Sequence, residues 1–201
     1  KQPSYHILSG ELTQKAGDTK KVIRAFDRAI THDPNDATTY RRRGAAHIQA
    51  QNYLNAISDF THAFELQPSQ TDVLVQRGHA YLKADQIRLA IEDFELALTH
   101  NDKLARAYSG RAAALVIEKR FEYALIWLTK AIHRFSTPRE LAEIMFARGK
   151  VFYQMGRLTP ACADFSSVID LMRNDIKTVA AARYARGVAN FHAEKWEKAG
   201  K

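Results

Sequence analysis

Eight histidines and one cysteine are the side chains of this 201-residue sequence best suited to metal or nucleophilic chemistry. No two histidines have the four-residue spacing of a zinc-binding helix motif such as H-E-x-x-H. The sequence also has no glycine-rich phosphate loop and no G-x-S-x-G nucleophile elbow. A lone Cys162 excludes an intrachain disulfide and a cysteine metal cluster. We therefore expect no catalytic site, no metal and no cofactor. The histidines are His6, His32, His47, His62, His79, His100, His133 and His192.

A second polar pattern joins arginine to aspartate. An arginine precedes a small residue in five places, which are Arg43, Arg77, Arg111, Arg148 and Arg186. Three of these segments carry an aspartate just before a later phenylalanine, at Asp59, Asp93 and Asp164. Because the two residue types occur together, we predict partly buried structural ion pairs between them, either within a unit or across to the neighbouring unit. A ladder of arginines that binds anions is the alternative. Trp127 stands in the aspartate place after Arg111, and we expect it to be a packing residue.

The elements that position these side chains follow from a period of 34 residues. Several registers share that step: Gly10, Gly44, Gly78 and Ala112; Phe26, Phe60, Phe94 and Leu128; Ala29, Ala63, Ala97 and Ala131; Pro34 and Pro68, with Asp102 in the next place. Registers that share one period of this length are typical of stacked helix-turn-helix repeats. In the second unit we predict helices at about 37–50 and 54–66, with Gly44 and Ala56 letting the two backbones approach.

The unit boundaries follow the same registers until the period slips. We predict units at about 3–36, 37–70, 71–104, 105–138, 139–175 and 176–201, the last one partial. Thr137-Pro138-Arg139-Glu140 is a capping box with proline at the first helical position, so a helix should begin near Pro138. Asn174-Asp175 offers a similar cap before Ile176. The sixth unit should then have a first helix at about 176–193 and the start of a second at Trp196.

These residues resemble the tetratricopeptide repeat family. Its pattern is an aromatic and a small residue on the first helix, alanine, aromatic and alanine on the second, and a closing proline. The best unit matches it with Tyr40, Gly44, Ala56, Phe60, Ala63 and Pro68. Departures occur at Val22, Asp102 and Val168, and none of them threatens the fold. The resemblance implies an all-α fold, a single right-handed superhelix over residues 1–201. Its concave face would be lined by the first helices.

The resemblance also implies a non-catalytic scaffold for another protein. The expected ligand is a peptide or protein, acidic and with hydrophobic anchors, bound by outward residues of the first helices. The candidate contacts are Arg41, Ile48, Gln49, Val75, His79, Leu82, Lys83, Arg106, Ser109, Val116, Phe146, Lys150, Tyr153 and Tyr184.

Three other functions stay open. A net charge of +8 and a pI near 9.6 would suit nucleic acid or another polyanion, although each third of the chain mixes both signs. An apolar edge near Tyr184, Phe191 and Trp196 would suit self-assembly, because terminal repeats need a polar cap. A clamp for the acidic C-terminus of Hsp70 or Hsp90 chaperones would use Arg41 and Arg106. The other clamp places hold Ala45, Gln76 and Gly110.

Location and completeness are expectations only. No apolar run approaches the roughly 18 residues of a membrane span, and no signal peptide is recognisable. The free thiol of Cys162 weakly favours a reducing compartment such as the cytoplasm. Because the sequence starts at Lys1 rather than methionine and ends inside a repeat, we expect it to be part of a longer protein.

Overall fold

The computed structural model describes residues 19–199, with side chains described as far as residue 194. Over that range the chain is helical, with ten helices and no strand, which confirms the all-α class. The first helix predicted for unit one, which includes Gly10, lies outside the described residues. The helices are α1 (Thr19–His32), α2 (Ala37–Gln49), α3 (Tyr53–Leu66), α4 (Asp72–Lys83), α5 (Ile87–His100), α6 (Ala105–Ile117), α7 (Phe121–Ile132), α8 (Pro138–Gln154), α9 (Leu158–Leu171) and α10 (Ile176–Ala199).

The described helices pack as successive hairpins in two compact units, which divide between Asn101 and Asp102. In the first unit each helix from α1 to α5 packs on the next, and α2 also contacts α4. In the second unit α6 to α10 pack in chain order, and α8 contacts both α6 and α10. Within each unit the first helices of neighbouring hairpins therefore lie side by side, as the repeat pattern predicts.

Two predicted helix starts are confirmed by their caps. The hydroxyl oxygen of Thr137 accepts from the Glu140 backbone N–H at 3.3 Å, and α8 begins at Pro138. The Thr178 backbone N–H donates to the Asp175 carboxylate at 3.2 Å, and α10 begins at Ile176. The Thr178 hydroxyl also donates to this carboxylate at 3.0 Å, and the two hydrogen bonds lower the pKa of Asp175 because they favour its charged form.

The turns inside the four hairpins from α2 to α9 each use a residue with positive φ. Gln51, Asp85 and Lys119 have φ near 60°, and Gly156 takes the corresponding place in the slipped unit with φ of 72°. A left-handed residue lets the chain leave the first helix and reverse direction within a few residues. Three of the four are not glycine, so composition alone did not mark these turns.

The predicted break in the sixth unit is wrong. Helix α10 runs without interruption from Ile176 to Ala199, so no second helix begins at Trp196. The residue that matches Gly156 in this unit is Glu194, counting the 38 residues that separate Gly149 from Gly187. Ala193, Glu194 and Lys195 are all good helix formers, so the local sequence favours continuation of the helix.

In three hairpins the glycine of the first helix, at Gly44, Gly78 or Gly149, makes room for an aromatic ring. A Cβ built on Gly44 would lie 2.8 Å from a ring carbon of Phe60, and one built on Gly78 would lie 2.8 Å from a ring carbon of Phe94. The atoms nearest to the added Cβ belong to the ring, so these glycines make room for a side chain, and the close approach of the two backbones at Gly44 stays a prediction. In the hairpin of α6 and α7 the same places hold Ala112 and Leu128, both buried.

Candidate partner-binding surface

The predicted arginine–aspartate pairs are confirmed within single hairpins. The Arg43 guanidinium donates to both carboxylate oxygens of Asp59, at 3.0 and 2.6 Å. Arg77 contacts Asp93 at 2.8 and 2.7 Å, and Arg148 repeats the contact with Asp164. The three carboxylates are buried. Since each of these guanidinium forks already holds a carboxylate, the pairs are structural rather than a free ladder for anions.

Some of these arginines also reach the second helix of the preceding hairpin, where they contact residues that the sequence analysis did not name. Arg43 Nη1 donates to Asp27 Oδ1 at 2.9 Å, and Arg77 Nη1 donates to the Thr61 hydroxyl oxygen at 3.0 Å. Arg186 donates to the Ser166 hydroxyl oxygen at 3.1 Å in the same manner. The signal lay in the polar residue 16 positions before Arg43 and Arg77. In Arg43 and Arg77, one side chain thus connects three helices.

In the hairpin of α6 and α7, Trp127 stands in the place of the aspartate, and its ring stacks on Arg111. The guanidinium carbon of Arg111 lies 3.9 Å from the centroid of the Trp127 ring, and the ring of Tyr108 lies 6.0 Å from it. A cation over an indole face is a favourable electrostatic contact. This placement confirms Trp127 as a packing residue.

His47 lies buried between α2 and α3, with Nε2 3.8 Å from Asp59 Oδ2. Burial lowers the pKa of His47 below 6.5. The positive charge of Arg43 also lowers this pKa, whereas the negative charges of Asp59 and Asp27 raise it. The unfolded chain therefore binds this proton more readily than the folded chain does. The stability that His47 contributes is complete above pH 6.5 and is lost as pH falls through the lower folded pKa.

We expect His47→Gln to weaken the pH dependence of stability between pH 7 and 5. Glutamine has no proton to gain, so the loss on acidification that belongs to His47 disappears. Urea unfolding followed by circular dichroism at several pH values measures it. The exposed His62→Gln serves as the control, since His62 lies outside the buried cluster. An unchanged slope in His47→Gln contradicts the assignment.

The candidate contacts of the first unit lie on α2 and α4. Gln49 and Lys83 are exposed, whereas Arg41, Ile48, His79 and Leu82 are half-buried. Val75 is 0% exposed, so the prediction that it faces outward is wrong. Its helix α4 packs against α2, α3 and α5, and this leaves only a narrow strip of α4 open to a partner.

The candidate contacts of the second unit lie on α6, α8 and α10, and several are held by neighbouring helices. Ser109 donates a hydrogen bond to Glu143 Oε1 at 2.9 Å, which joins α6 to α8. The ring of Phe146 packs 5.5 Å from Phe165, and Tyr153 packs 5.8 Å from His192. The exposed members are Arg106, Lys150 and Tyr184, and the half-buried ones are Ser109, Val116, Phe146 and Tyr153.

Sequence reasoning missed Glu143 at this surface. It is the acidic residue that contacts Ser109, which lies 34 positions earlier in the chain.

Tyr184 and Phe191 are 77% and 64% exposed on α10, and Trp196 lies beyond the described side chains. The clamp arginines Arg41 and Arg106 fall in the two different units, so the carboxylate clamp stays a hypothesis.

The described side chains form no cluster of three or more histidine, cysteine, aspartate or glutamate residues that could hold a metal ion. Over the same range, no helix combines the length and the apolar character that crossing a bilayer requires. What the surface offers is cationic groups next to partly covered apolar side chains. Lys150 shows the combination, with its ammonium 5.9 Å from the centroid of the Phe146 ring.

Comparison with known proteins identifies the hairpin. The tetratricopeptide repeat model matches residues 71–102, which comprise α4, α5 and the turn between them. NADPH oxidase activator 1 of Rattus norvegicus is 44% identical over 45 residues. That match covers 22% of this chain and 10% of the rat protein, so the chain resembles only a small part of it.

Solved structures share the fold at low identity. A thermophilic TPR protein of Thermus thermophilus has a TM-score of 0.73 and 16% identity, over 91% of this chain and 98% of that one. MamA of Desulfovibrio magneticus RS-1, from residue 41 to its end, has a TM-score of 0.69 and 20% identity, over 87% and 97%. YrrB, described as a TPR protein with an unusual peptide-binding site, has a TM-score of 0.59 and 18% identity, over 89% and 90%.

The matched hairpin is repeated in its neighbours. The glycine-to-ring contact of Gly78 and Phe94 recurs at Gly44 and Gly149, and the ion pair of Arg77 and Asp93 recurs at Arg43 and Arg148. Residues 71–102 therefore form a tetratricopeptide repeat, and the repeated contacts and the shared fold show the same hairpin architecture in its neighbours among the described residues.

Proposed function

We propose that this chain is a non-catalytic binding module that holds a peptide or a partner protein against the outward strip of its first helices. Tetratricopeptide repeats generally mediate contacts between proteins, and this chain has their fold and their repeated contacts. YrrB, which shares the fold, is described by its peptide-binding site. The rat relative is named as an activator of NADPH oxidase, and its match is too short to extend that activity here.

One observation carries the proposal. In each unit, an exposed lysine and half-buried apolar side chains occur on the same first helix. Lys83 follows Leu82 directly on α4, and Lys150 lies on α8 one turn from Phe146 and Tyr153. A half-buried apolar side chain can still cover an apolar anchor of a ligand, while the ammonium group pairs with a carboxylate beside that anchor.

The test screens a displayed library of short peptides against the chain and then measures the selected peptides by fluorescence anisotropy. We expect sequences with one or two large apolar residues flanked by Asp or Glu. Reversing the charge in Lys83→Glu or Lys150→Glu should raise Kd about tenfold, because an attraction becomes a repulsion. Arg88→Glu is the matched control, since Arg88 is an exposed cation on the second helix of the same hairpin as Lys83.

Selected peptides that bind both lysine variants as tightly as the wild type would refute the assigned surface. Retention of an oligonucleotide in place of any peptide, with affinity that falls steeply as salt rises, would favour the nucleic-acid alternative.

A further inference from the structure

A row of cationic side chains runs along the outward face of α1. Lys20, Arg24 and Arg28 are exposed and spaced four residues apart, so they lie on one face of the helix, with a rise of about 6 Å from each to the next. His32 occupies the next step and Lys21 stands beside the row. This set, the α1 basic face, belongs to the second helix of its hairpin and is distinct from the strip of first helices proposed above.

The repeat fold does not require these residues. Places 34 residues later, on the outward side of α3, hold Leu54, Ser58 and His62, and places 68 residues later, on α5, hold Arg88, Glu92 and Leu96. The buried face of α1 has its own residues, which include Val22 and Phe26. Packing therefore leaves the chemistry of the outward face unconstrained, and the three cations need another explanation.

The α1 basic face opposes the stability of its own helix. Like charges four residues apart repel each other, and Lys20 stands in a first turn that has no acidic residue to complement the helix dipole. Within the described part of the chain, the side chains of Lys20, Arg24 and Arg28 form no ion pair and no hydrogen bond. The one carboxylate on this helix, Asp27, is held by Arg43 at 2.9 Å. A repulsive arrangement that packing does not impose points to an external anion.

We propose that the α1 basic face binds a short acidic segment of a partner protein, with carboxylates repeated at one-turn spacing. A helix that carries Asp or Glu at every fourth residue would present its charges at the same step of about 6 Å as the three cations. Each carboxylate would then meet one cation along a line of about two turns.

The charge around this face favours a short protein segment over a long polyanion. Residues 19–50 contain seven Lys or Arg and three Asp or Glu, whereas residues 51–101 contain three and seven. The positive region is therefore local and is followed in the same unit by a negative one, which would repel an extended nucleic acid. The exposed large apolar side chains of the described residues include none on α1, so the face offers no anchor for insertion into a membrane.

The test uses a fluorescein-labelled helical peptide with glutamate at every fourth position and alanine and glutamine between, in low salt. A peptide with glutamine in place of every glutamate is the control ligand. The variant Lys20→Gln/Arg24→Gln/Arg28→Gln removes the row. The matched variant Arg88→Gln/Lys130→Gln/Arg173→Gln removes the same charge from three exposed cations elsewhere. Lys83→Glu tests the surface of the first helices described under the proposed function. If that surface binds no peptide, the test of the α1 basic face is unaffected.

We expect the row variant to raise Kd for the acidic peptide by about tenfold, since three exposed ion pairs are lost, and the matched variant to change it less than about twofold. The row variant should also melt at the same or a higher temperature than the wild type, because repulsion within α1 is relieved. Equal loss of binding in both triple variants overturns the proposal. So does a thymidine oligonucleotide or a phosphatidylserine vesicle that binds the row more tightly than the peptide does. A lower melting temperature in the row variant would give the row a structural role and also overturn it.

Discussion

Replacing Arg77 by alanine is expected to lower the free energy of unfolding by about 3 kcal/mol, because it leaves the buried carboxylate of Asp93 without its two donors. Burial raises the pKa of Asp93, and the hydrogen bonds from Arg77 oppose that shift. The same bonds raise the pKa of Arg77. Loss of the arginine removes the opposition, so the carboxylate becomes harder to ionise in the folded state. Urea unfolding followed by circular dichroism measures the loss, and hydrogen exchange locates it in the hairpin of α4 and α5.

Two controls make this result specific. Arg88→Ala breaks an exposed pair with Glu92 in the same hairpin and should cost less than about 1 kcal/mol. Acidification should reduce the difference in free energy of unfolding between Arg77→Ala and the wild type, since a protonated Asp93 carries no charge that a cation must balance. A gap that stays constant as pH falls, or equal costs for Arg77→Ala and Arg88→Ala, would show that the buried charge is not the cause.

Enlarging Gly78 to alanine is expected to destabilise the same hairpin by about 2 kcal/mol, because the new methyl group overpacks against Phe94. Up to about 1 kcal/mol of this loss is offset because alanine is a better helix former than glycine. The compensating change is Phe94→Leu, because the hairpin of α6 and α7 places alanine and leucine at these positions as Ala112 and Leu128. The double variant should therefore be more stable than the sum of the two single variants predicts.

A double-mutant cycle from urea unfolding of the four proteins measures that coupling, which we expect to be about 1 kcal/mol in favour of the pair. Gly156→Ala is the contrasting variant. No atom lies within 4 Å of the position of its new Cβ, yet its φ of 72° penalises any side chain. Additive effects at Gly78 and Phe94 would contradict the steric explanation.

The period of the sequence was enough to predict the hairpins, because each unit repeats the same local problem. Gly44 and Phe60 lie on consecutive helices of one hairpin, and so does the ion pair of Arg43 and Asp59, so their spacing in sequence is constant. The capping box at Thr137 and the cap at Asp175 were readable for the same reason, since a cap depends on a few adjacent residues. The continuation of α10 past Glu194 was missed, because the registers alone cannot show whether a turn residue takes positive φ.

Much of the candidate surface could not be predicted from the sequence. Val75 reads as an outward residue by its place on the first helix, but contacts with three other helices bury it. The contact of Arg43 with Asp27 joins separate hairpins and depends on how one stacks on the next. The exposure of a side chain also depends on how the hairpins stack, because the neighbouring helices determine how much of it they cover.

The sequence by itself determined the helical class, the hairpin units and the residues that pair inside each hairpin, because these depend on local spacing that recurs along the chain. Only the tertiary structure decided which side chains remain open to a partner and where the arginines connect neighbouring hairpins. It also decided that the side chains of Lys20, Arg24 and Arg28 stand exposed without an ion pair among the described residues. Those features arise from the packing of whole helices, because that packing brings together residues whose separation in the sequence follows no constant period.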